Sequence, residues 1–579
     1  MNLFIERSHS KEALENLKRF GLHPLLARLY ASRGIEDGNE LSLELKHLLP
    51  PSTLTNCERA AEILADAIAN QTQLLIVADY DCDGATACAV GMRGLRMLGA
   101  SEKQIGFIVP NRFTMGYGLT PEVVDLAKNL NPKPSLLITV DNGIASHLGI
   151  DYAKEHGIDV LVTDHHLPTD QLPNALAIVN PNQRDCTFES KALAGVGVMF
   201  YILIALRAEL RKRGVFTPES QPKLEQLLSL VALGTVADVA QLDRNNRIFV
   251  SQGLKKIRQG IAPAGLLALF EVAGRDPRSA NPFDLGFAIG PRLNAAGRLA
   301  DMSLGIQLLL SDHPDHALTL AQELDRMNRE RRVIESGMQE SALANLSRME
   351  IEDRPALCLW NPSWHQGVVG IVASRLKERF NRPTIVFAPA EDAIGEPLLR
   401  GSGRSIQGFH LRDTLDLVSK RYPLLIQKFG GHAMAAGLTI RQSDFLKFER
   451  CFLEISSSLL SDDILQRRCI HDGTLDMADF SVEVGDMLSQ EIWGQGFPLP
   501  LFYGEFEVLQ QSLMKEKHLR LQLRPKLGNG QLAPIVQAVW FNRTQDLPQT
   551  AQLAFRLVTD RFHSEPRVQL MIEAINHSS

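Results

Sequence analysis

The stretch LLIVADYDCDGAT, residues 74–86, decides the fold. Five apolar residues read as a buried strand, and three aspartates follow at alternate positions, Asp79, Asp81 and Asp83, before a glycine. Carboxylates this close raise one another's pKa and weaken a fold unless a cation lies between them. The same strand rhythm recurs in QIGFIVP (104–110), SLLITVD (135–141), IDVLVTD (158–164) and LAIVNP (176–181). Between them lie helical stretches such as GATACAVGMRGLRMLG, TPEVVDLAKNL and ASHLGIDYAKEHG. Continuous apolar strands alternating with helices predict an α/β fold built on a parallel, doubly wound sheet, in which ligands bind beyond the carboxyl ends of the strands. The acidic residues fall at those ends: the DYDCD cluster after the first strand, Asp141 after the third, and Asp164-His165-His166 after the fourth.

The bulk composition bounds the rest. At 579 residues the chain is too long for one core, so several domains are expected. With 45% hydrophobic and 22% charged residues it reads as globular, and its formal charge of -6 excludes a global basic field for nucleic acid. A polyanion partner would need a local groove rich in lysine and arginine. The seven cysteines are scattered without a CxxC pair, which argues for a reduced, cytoplasmic protein with no structural zinc. The charged start, MNLFIERSHSKEALENLKRF, lacks a signal-peptide core, and no apolar run approaches a membrane span, so no membrane partner is expected.

Asp81, Asp83, Asp141 and Asp238 (in LVALGTVADVAQL) would bring about four negative charges into one crevice. Two divalent cations would cancel them, with one aspartate shared, and such a pair clamps both the attacking and leaving oxygens of an in-line attack on phosphorus. An imidazole from His165 moves the preference from Mg2+ towards Mn2+. Each piece alone has a plainer reading, since an Asp after a strand is also a common helix N-cap. Cys82, between the aspartates, reads as a small buried hydrophobe and not a nucleophile.

DYDCDG (79–84), VDNG (140–143), TDHH (163–166), GTVADV (234–239) and GPRLNAAGR (290–298) resemble the successive motifs of the DHH phosphoesterase superfamily. VPNRFTMGYGL (109–119), LAGVGV (193–198), WHQGVVGIVASR (364–375), GSGRS (401–405) and FGGHAMAAG (429–437) narrow the resemblance to its RecJ family of single-stranded-DNA exonucleases. The resemblance implies metal ligation by Asp81, Asp83, Asp141, His165 and Asp238, with Asp141 bridging, and a supporting place for Asp79. It gives Asp164 the task of orienting the histidines and sets His166 towards the scissile phosphate. Many superfamily members carry a histidine where this chain has Val77, so one cation should be held by fewer ligands. Implied helpers are a single-strand-binding protein and a RecQ-type helicase, acting with a monomeric enzyme.

Arg112, Arg292 and Arg298 are guanidinium forks suited to phosphate oxygens, and Arg298 counts with the catalytic set. Tyr117 and Phe113 could stack on bases, or Tyr117 could simply belong to a Tyr-Gly turn. In the second lobe Ser402, Arg404 and His432 sit on glycine-rich turns, where Ser402 and Arg404 are expected to bind a terminal 5′ phosphate. Residues 312–349 carry helical spacing with a polar break at Arg331, a helix of about 50 Å. The tail has strand-like runs that predict an OB-like barrel, with Lys515, Lys517, Arg520 and Trp540, and beside them His518, Arg524 and Phe541, as candidate strand contacts. The expected division is a helical lead (1–50), a DHH domain (51–302), a connecting helix (303–350), a DHHA1 domain (351–462) and an OB-like domain (463–579). The sequence leaves two alternatives to a 5′→3′ exonuclease: a DHH phosphodiesterase of oligoribonucleotides or cyclic dinucleotides, and a relative that only binds single strands.

Overall fold

The computed structural model describes residues 2–347, 351, 354–391, 395–526, 534–561 and 565–576. The chain forms two compact units: a larger one of His9–Asn328 with Ser489–Leu499, and a second one of Met1–Ser8, Arg329–Leu488 and Pro500–Ser579. Strand β1 (Asn2–Glu6) opens the chain and belongs to the second unit.

In the larger unit five strands form one parallel sheet: β2 (Leu74–Ala78), β3 (Ile105–Ile108), β4 (Leu136–Val140), β5 (Asp159–Thr163) and β6 (Ala177–Val179). Their order is β3-β2-β4-β5-β6, so the winding reverses between β2 and β4. β2 and β4 are buried along their whole length, which is why they read as unbroken apolar runs instead of alternating ones. The register pairs Ala78 with Val140, Val140 with Thr163, and Thr163 with Val179, so Asp79, Asp141, Asp164 and Asn180 stand in a row along the carboxyl edge of the sheet, with Asp79 and Asp141 on either side of the switch point.

Glycines set the helices close around that edge. A Cβ on Gly234, in helix Leu228–Ala237, would meet Thr86 Oγ1 at 2.2 Å and Asp83 Oδ1 at 2.9 Å. That close approach lays the helix on Cys82–Met97 and delivers Asp238, at its C-terminal end, to the same crevice as Asp83.

The second unit has a sheet of β7 (Leu357–Trp360), β8 (Thr384–Glu391), β9 (Pro397–Arg404), β10 (Lys428–Gly431) and β11 (Ala435–Arg441), ordered β10-β11-β9-β8-β7. Only its β7–β8 pair is parallel. β12 (Arg467–His471) pairs with β1. The closed barrel follows, with β13 (Phe502–Met514), β14 (His518–Pro525), β15 (Val536–Trp540), β16 (Thr550–Asp560) and β17 (Arg567–Asn576) in the order β13-β14-β15-β17-β16. The α/β class, the doubly wound sheet and the terminal barrel all match the sequence expectation.

Three features differ from it. The helical lead begins as strand β1, and its helices Lys11–Arg19 and Pro24–Ala31 come after. The connecting helix is Pro314–Leu346, preceded by a separate helix Ser303–Leu310, and residues 348–350 lie outside the described ones. Its polar break is a buried ion pair, Arg331 Nη1 to Glu335 Oε2 at 2.7 Å, with Arg375 Nε 3.2 Å from Glu335 Oε1. Finally, Ser489–Leu499 returns to the larger unit, where Arg33 lies over the Trp493 ring, Arg247 over Phe497, and Tyr30 bonds Glu491. Among the described residues no helix is long and apolar enough to cross a membrane.

Two glycine substitutions separate packing from propensity. Gly337 sits in the Pro314–Leu346 helix with nothing within 4 Å of an added Cβ. Gly337→Ala should therefore stabilise the second unit by about 0.5–1 kcal/mol. Gly234→Ala should cost about 1–3 kcal/mol and disturb Asp83. Urea unfolding of both variants checks the opposite signs.

Candidate metal centre

Asp81 caps the helix Cys82–Met97, its Oδ1 accepting from the Asp83 amide at 2.9 Å and the Gly84 amide at 3.0 Å. The cap and the charge cluster are thus the same residue: capping occupies one oxygen and leaves the other for the crevice. Asp83, fully buried, accepts from the amides of Gly195 (2.6 Å) and Val196 (3.0 Å) at the start of helix Gly195–Lys212. Positive helix N-termini therefore hold two of the carboxylates in place. Asp79 is buried and accepts from the Tyr80 amide. Asp141 is buried too, in a left-handed conformation (φ 63°) that is uncommon outside glycine, and Val239, next to Asp238, has φ 60°. Strained backbone on both sides of one acidic crevice is the mark of a functional site.

The histidines divide their work. Asp164 Oδ1 accepts from the His165 amide (2.7 Å), the His166 amide (3.1 Å) and His166 Nδ1 (2.8 Å), and its Oδ2 accepts from Ile144. His165 Nε2 comes 3.0 Å from Asp141 Oδ1 and 3.9 Å from Asp83 Oδ2, and its Nδ1 lies 3.9 Å from Asp238 Oδ2. Tyr117 donates its hydroxyl to the Asp141 carbonyl at 3.1 Å and lies 3.3 Å from the His166 ring nitrogens.

Electrostatics follow from the geometry. Burial, and then Asp81, push Asp83 up to about 7, and burial with mutual repulsion raises Asp79, Asp141 and Asp238 well above ordinary carboxylates. Burial, then His166, drops His165 to about 4, so its imidazole is neutral and able to ligate at pH 7. Burial opposes charge on His166 as well, but the Asp164 hydrogen bond and the surrounding carboxylates hold it at about 9. Burial alone would raise Asp164, and its bond to His166 keeps it below the usual carboxylate value.

Three sets of groups have ligand atoms within 4.8 Å of one another: Asp79/Asp81/Asp141, Asp83/His165/Asp238 and Asp141/His165/His166. Asp141 and His165 each belong to two of them. Asp141 Oδ1 and His165 Nε2 are buried and make no hydrogen bond, although they lie 3.0 Å apart. Two such atoms facing each other fit a cation as their common partner; the carboxylates suit Mg2+ or Mn2+, and the imidazole favours Mn2+ of the two.

The other expected residues fall into three groups. Arg112 stacks on Tyr80 at 4.7 Å and reaches the Gly297 carbonyl, and Arg298 lies close enough to Tyr80 to act on its hydroxyl's pKa. Arg292 differs: it is buried, with Nε and Nη2 each 2.9 Å from Asp325 Oδ1 and Nη1 bonded to the Ala288 carbonyl. Its fork is spent inside the fold, because burial demands a carboxylate partner. In the second unit Arg404 Nη1 donates to Ser402 Oγ (3.0 Å), and a Cβ on Gly370, in the first turn of helix Val369–Phe380, would touch both side chains at 2.9 Å. His432 is on the β10–β11 hairpin. On the barrel, Lys515 and Lys517 are exposed at the β13–β14 turn, with Arg520 exposed on β14. Trp540 ends β15 under Arg543, His518 meets Phe541 edge-on, and Arg524 is paired with Glu507.

Residues 73–235 match the family model described as DHH family, N-terminal domain; 353–454 match the DHHA1 domain; 471–574 match the RecJ OB domain. The single-stranded-DNA-specific exonuclease RecJ of Salmonella typhimurium is 49% identical over 565 residues, 96% of each chain. The chain belongs to the RecJ family. RecJ of Escherichia coli is 48% identical over 96% of each chain. The crystal structure of Thermus thermophilus RecJ in complex with Mn2+ superposes with a TM-score of 0.80 at 27% identity, covering 100% of this chain and 80% of that one. A second structure of that RecJ, in complex with Mg2+, gives 0.75 at 25% identity, covering 100% and 79%. Within the RecJ family setting, Val77 is a buried β2 residue packed among apolar neighbours.

Sequence reasoning missed the residues that pin the strand ends. Asn142 Nδ2 bridges the carbonyls of Val77 and Val140 across the switch point, Asn180 and Asn182 hold the carbonyls of His166 and His165, and Asn294 Oδ1 accepts from the Cys82 amide. Asn142 and Asn294 stand inside motifs quoted above, where an amide beside an acid was the available signal.

Raised carboxylate pKa values mean that cations must displace protons. Mn2+ affinity should rise from pH 6 to pH 8, with proton release visible by calorimetry in buffers of different ionisation enthalpy, and Asp83→Asn should flatten the slope. Without metal the native state holds these protons more tightly than the unfolded chain, so their stabilising contribution is full at low pH and is lost as pH rises through about 7.

Proposed function

We propose that this chain is a metal-dependent exonuclease that degrades single-stranded DNA from the 5′ end, releasing 5′-mononucleotides, in DNA repair and recombination. The convergence of three ligand-spaced groups at the switch point carries the reading, in a chain 45–49% identical to curated single-stranded-DNA-specific exonucleases. Asp81, Asp83, Asp141, His165 and Asp238 would hold two divalent cations, with Asp141 shared and Asp79 within reach of the same pocket. When bound, the cations supply Lewis acidity towards a phosphodiester and acidify water.

Water attacks phosphorus, and the bond to the 3′ oxygen of the departing nucleotide breaks. His166, cationic at neutral pH and fixed by Asp164 and Tyr117, offers positive charge where the phosphoryl oxygens gain negative charge. Asp164 keeps the ring in one orientation. Arg112, braced on Tyr80, and Arg298 are the cations for flanking phosphates, and Tyr117 offers a ring face.

In the second unit Ser402, Arg404 and the start of helix Val369–Phe380 form an anion seat that suits a terminal 5′ phosphate. Burial lowers the pKa of Arg404, and among the described residues no carboxylate forms an ion pair with it. His432 and, on the barrel, Lys515, Lys517, Arg520 and Trp540 add contacts along the strand. The enzyme would work as a cytoplasmic monomer alongside a single-strand-binding protein and a RecQ-type helicase.

Purified protein given 5′- and 3′-labelled single strands and a blunt duplex, with Mn2+, Mg2+ or chelator, tests the reading. Single strands should be shortened from the 5′ end only with metal, and Asp141→Ala should slow this by at least about a hundredfold. Preference for dinucleotides over long strands would favour the phosphodiesterase alternative, and tight binding without hydrolysis would favour the binding-only one. Arg404→Ala should raise KM for 5′-phosphorylated ends by about tenfold or more and abolish the preference for them over 5′-hydroxyl ends.

A further inference from the structure

Phe283 and Phe287 are 46% and 65% exposed, yet their rings stack on each other 4.7 Å apart at 23°. Phe283 immediately precedes, and Phe287 lies within, a π-helical turn, Asp284–Ile289, that leads directly into helix Gly290–Leu299. Such turns concentrate at functional sites because the extra residue re-aims a side chain. The turn is pinned from beneath: Leu285 and Ile289 are fully buried, the Asp284 amide donates to Asn281 Oδ1, and the Asn281 amide donates to Asp284 Oδ2. The phenylalanines are thus presented outward on a fixed base, and a rigid ring pair orders little on binding.

The position of this pair singles it out from other exposed apolar residues. A Cβ on Gly286 would lie 3.3 Å from Val236, and one on Gly290 would lie 3.1 Å from Ala237, the residue before Asp238. Further along the same helix, Asn294 caps the Cys82 amide and Gly297 packs on the Tyr80 carbonyl. One continuous segment therefore runs from the rings to the edge of the acidic crevice.

We propose that Phe283 and Phe287 form a stacking platform for bases of the single strand whose phosphates enter the metal centre. The inference rests on the exonuclease reading. Every base has a π face, so the platform adds affinity without sequence preference, and a paired base, already stacked in a duplex, cannot use it. The rings position the strand and take no part in bond breaking.

Steady-state kinetics on a long single strand, with the full chain and Mn2+, tests this with F283L/F287L and F283Y/F287Y. The leucine variant keeps apolar bulk and should raise KM between about fivefold and a hundredfold while kcat stays within about twofold. The tyrosine variant should restore the wild-type KM. If the double variants lose melting temperature, the single changes F287L and F287Y carry the same comparison. A KM indifferent to leucine, or a loss that tyrosine does not repair, overturns the platform. A wild-type protein that leaves single strands intact overturns the exonuclease reading itself, so the two failures are distinct.

Discussion

Everything in the larger unit is arranged around the repulsion among buried carboxylates at one sheet edge. Two unit charges about 4 Å apart repel by about 4 kcal/mol at an effective dielectric of about 20, and this crevice gathers Asp79, Asp81, Asp83, Asp141 and Asp238. Without a cation the group can persist only by holding protons, which is the meaning of the raised pKa values. His165 stays neutral in the same place and so adds a ligand instead of a compensating charge. The compensating charge inside the protein comes from His166, one residue later, because only the His166 ring bonds directly to Asp164.

The fold bears this arrangement through backbone dipoles and close approaches. Amides at two helix starts hold Asp81 and Asp83, and the reversal of winding between β2 and β4 leaves room for Asp79 and Asp141 to face one crevice. Glycines at 84, 195, 234 and 297 sit where a Cβ would strike Asp79, Asp141, Asp83 and Tyr80 respectively. Their absence of a side chain is what lets the helices close on the acids. Left-handed backbone at Asp141 and Val239 is strain confined to the same few residues.

Much of this was legible in the sequence because it depends on strand ends. Short, mainly apolar runs mark the strands, and the acids after the first, third and fourth of them, Asp79, Asp141 and Asp164, mark the edge where ligands bind, so the sheet and its acidic cluster could be read together. Arg292 was not legible in this way, since its fork is spent on Asp325, 33 residues along the chain. Nor was β1, a short strand whose partner β12 lies more than four hundred residues away, or the return of Ser489–Leu499, held by Trp493 and Phe497 against Arg33 and Arg247. These are long-range pairings, and local periodicity carries no trace of them. The asparagines at 142, 180 and 182 escaped notice for the opposite reason. Their role is to satisfy carbonyls at strand ends, and any loop can supply an amide for that.

The central claim is that these acids converge in order to hold cations. Diffraction at the manganese absorption edge, from crystals grown with Mn2+, examines it directly. Two anomalous peaks should appear on either side of the Asp141 carboxylate, within bonding distance of His165 and of Asp81, Asp83 and Asp238. A crevice with no peak, or manganese bound only elsewhere on the chain, would contradict it.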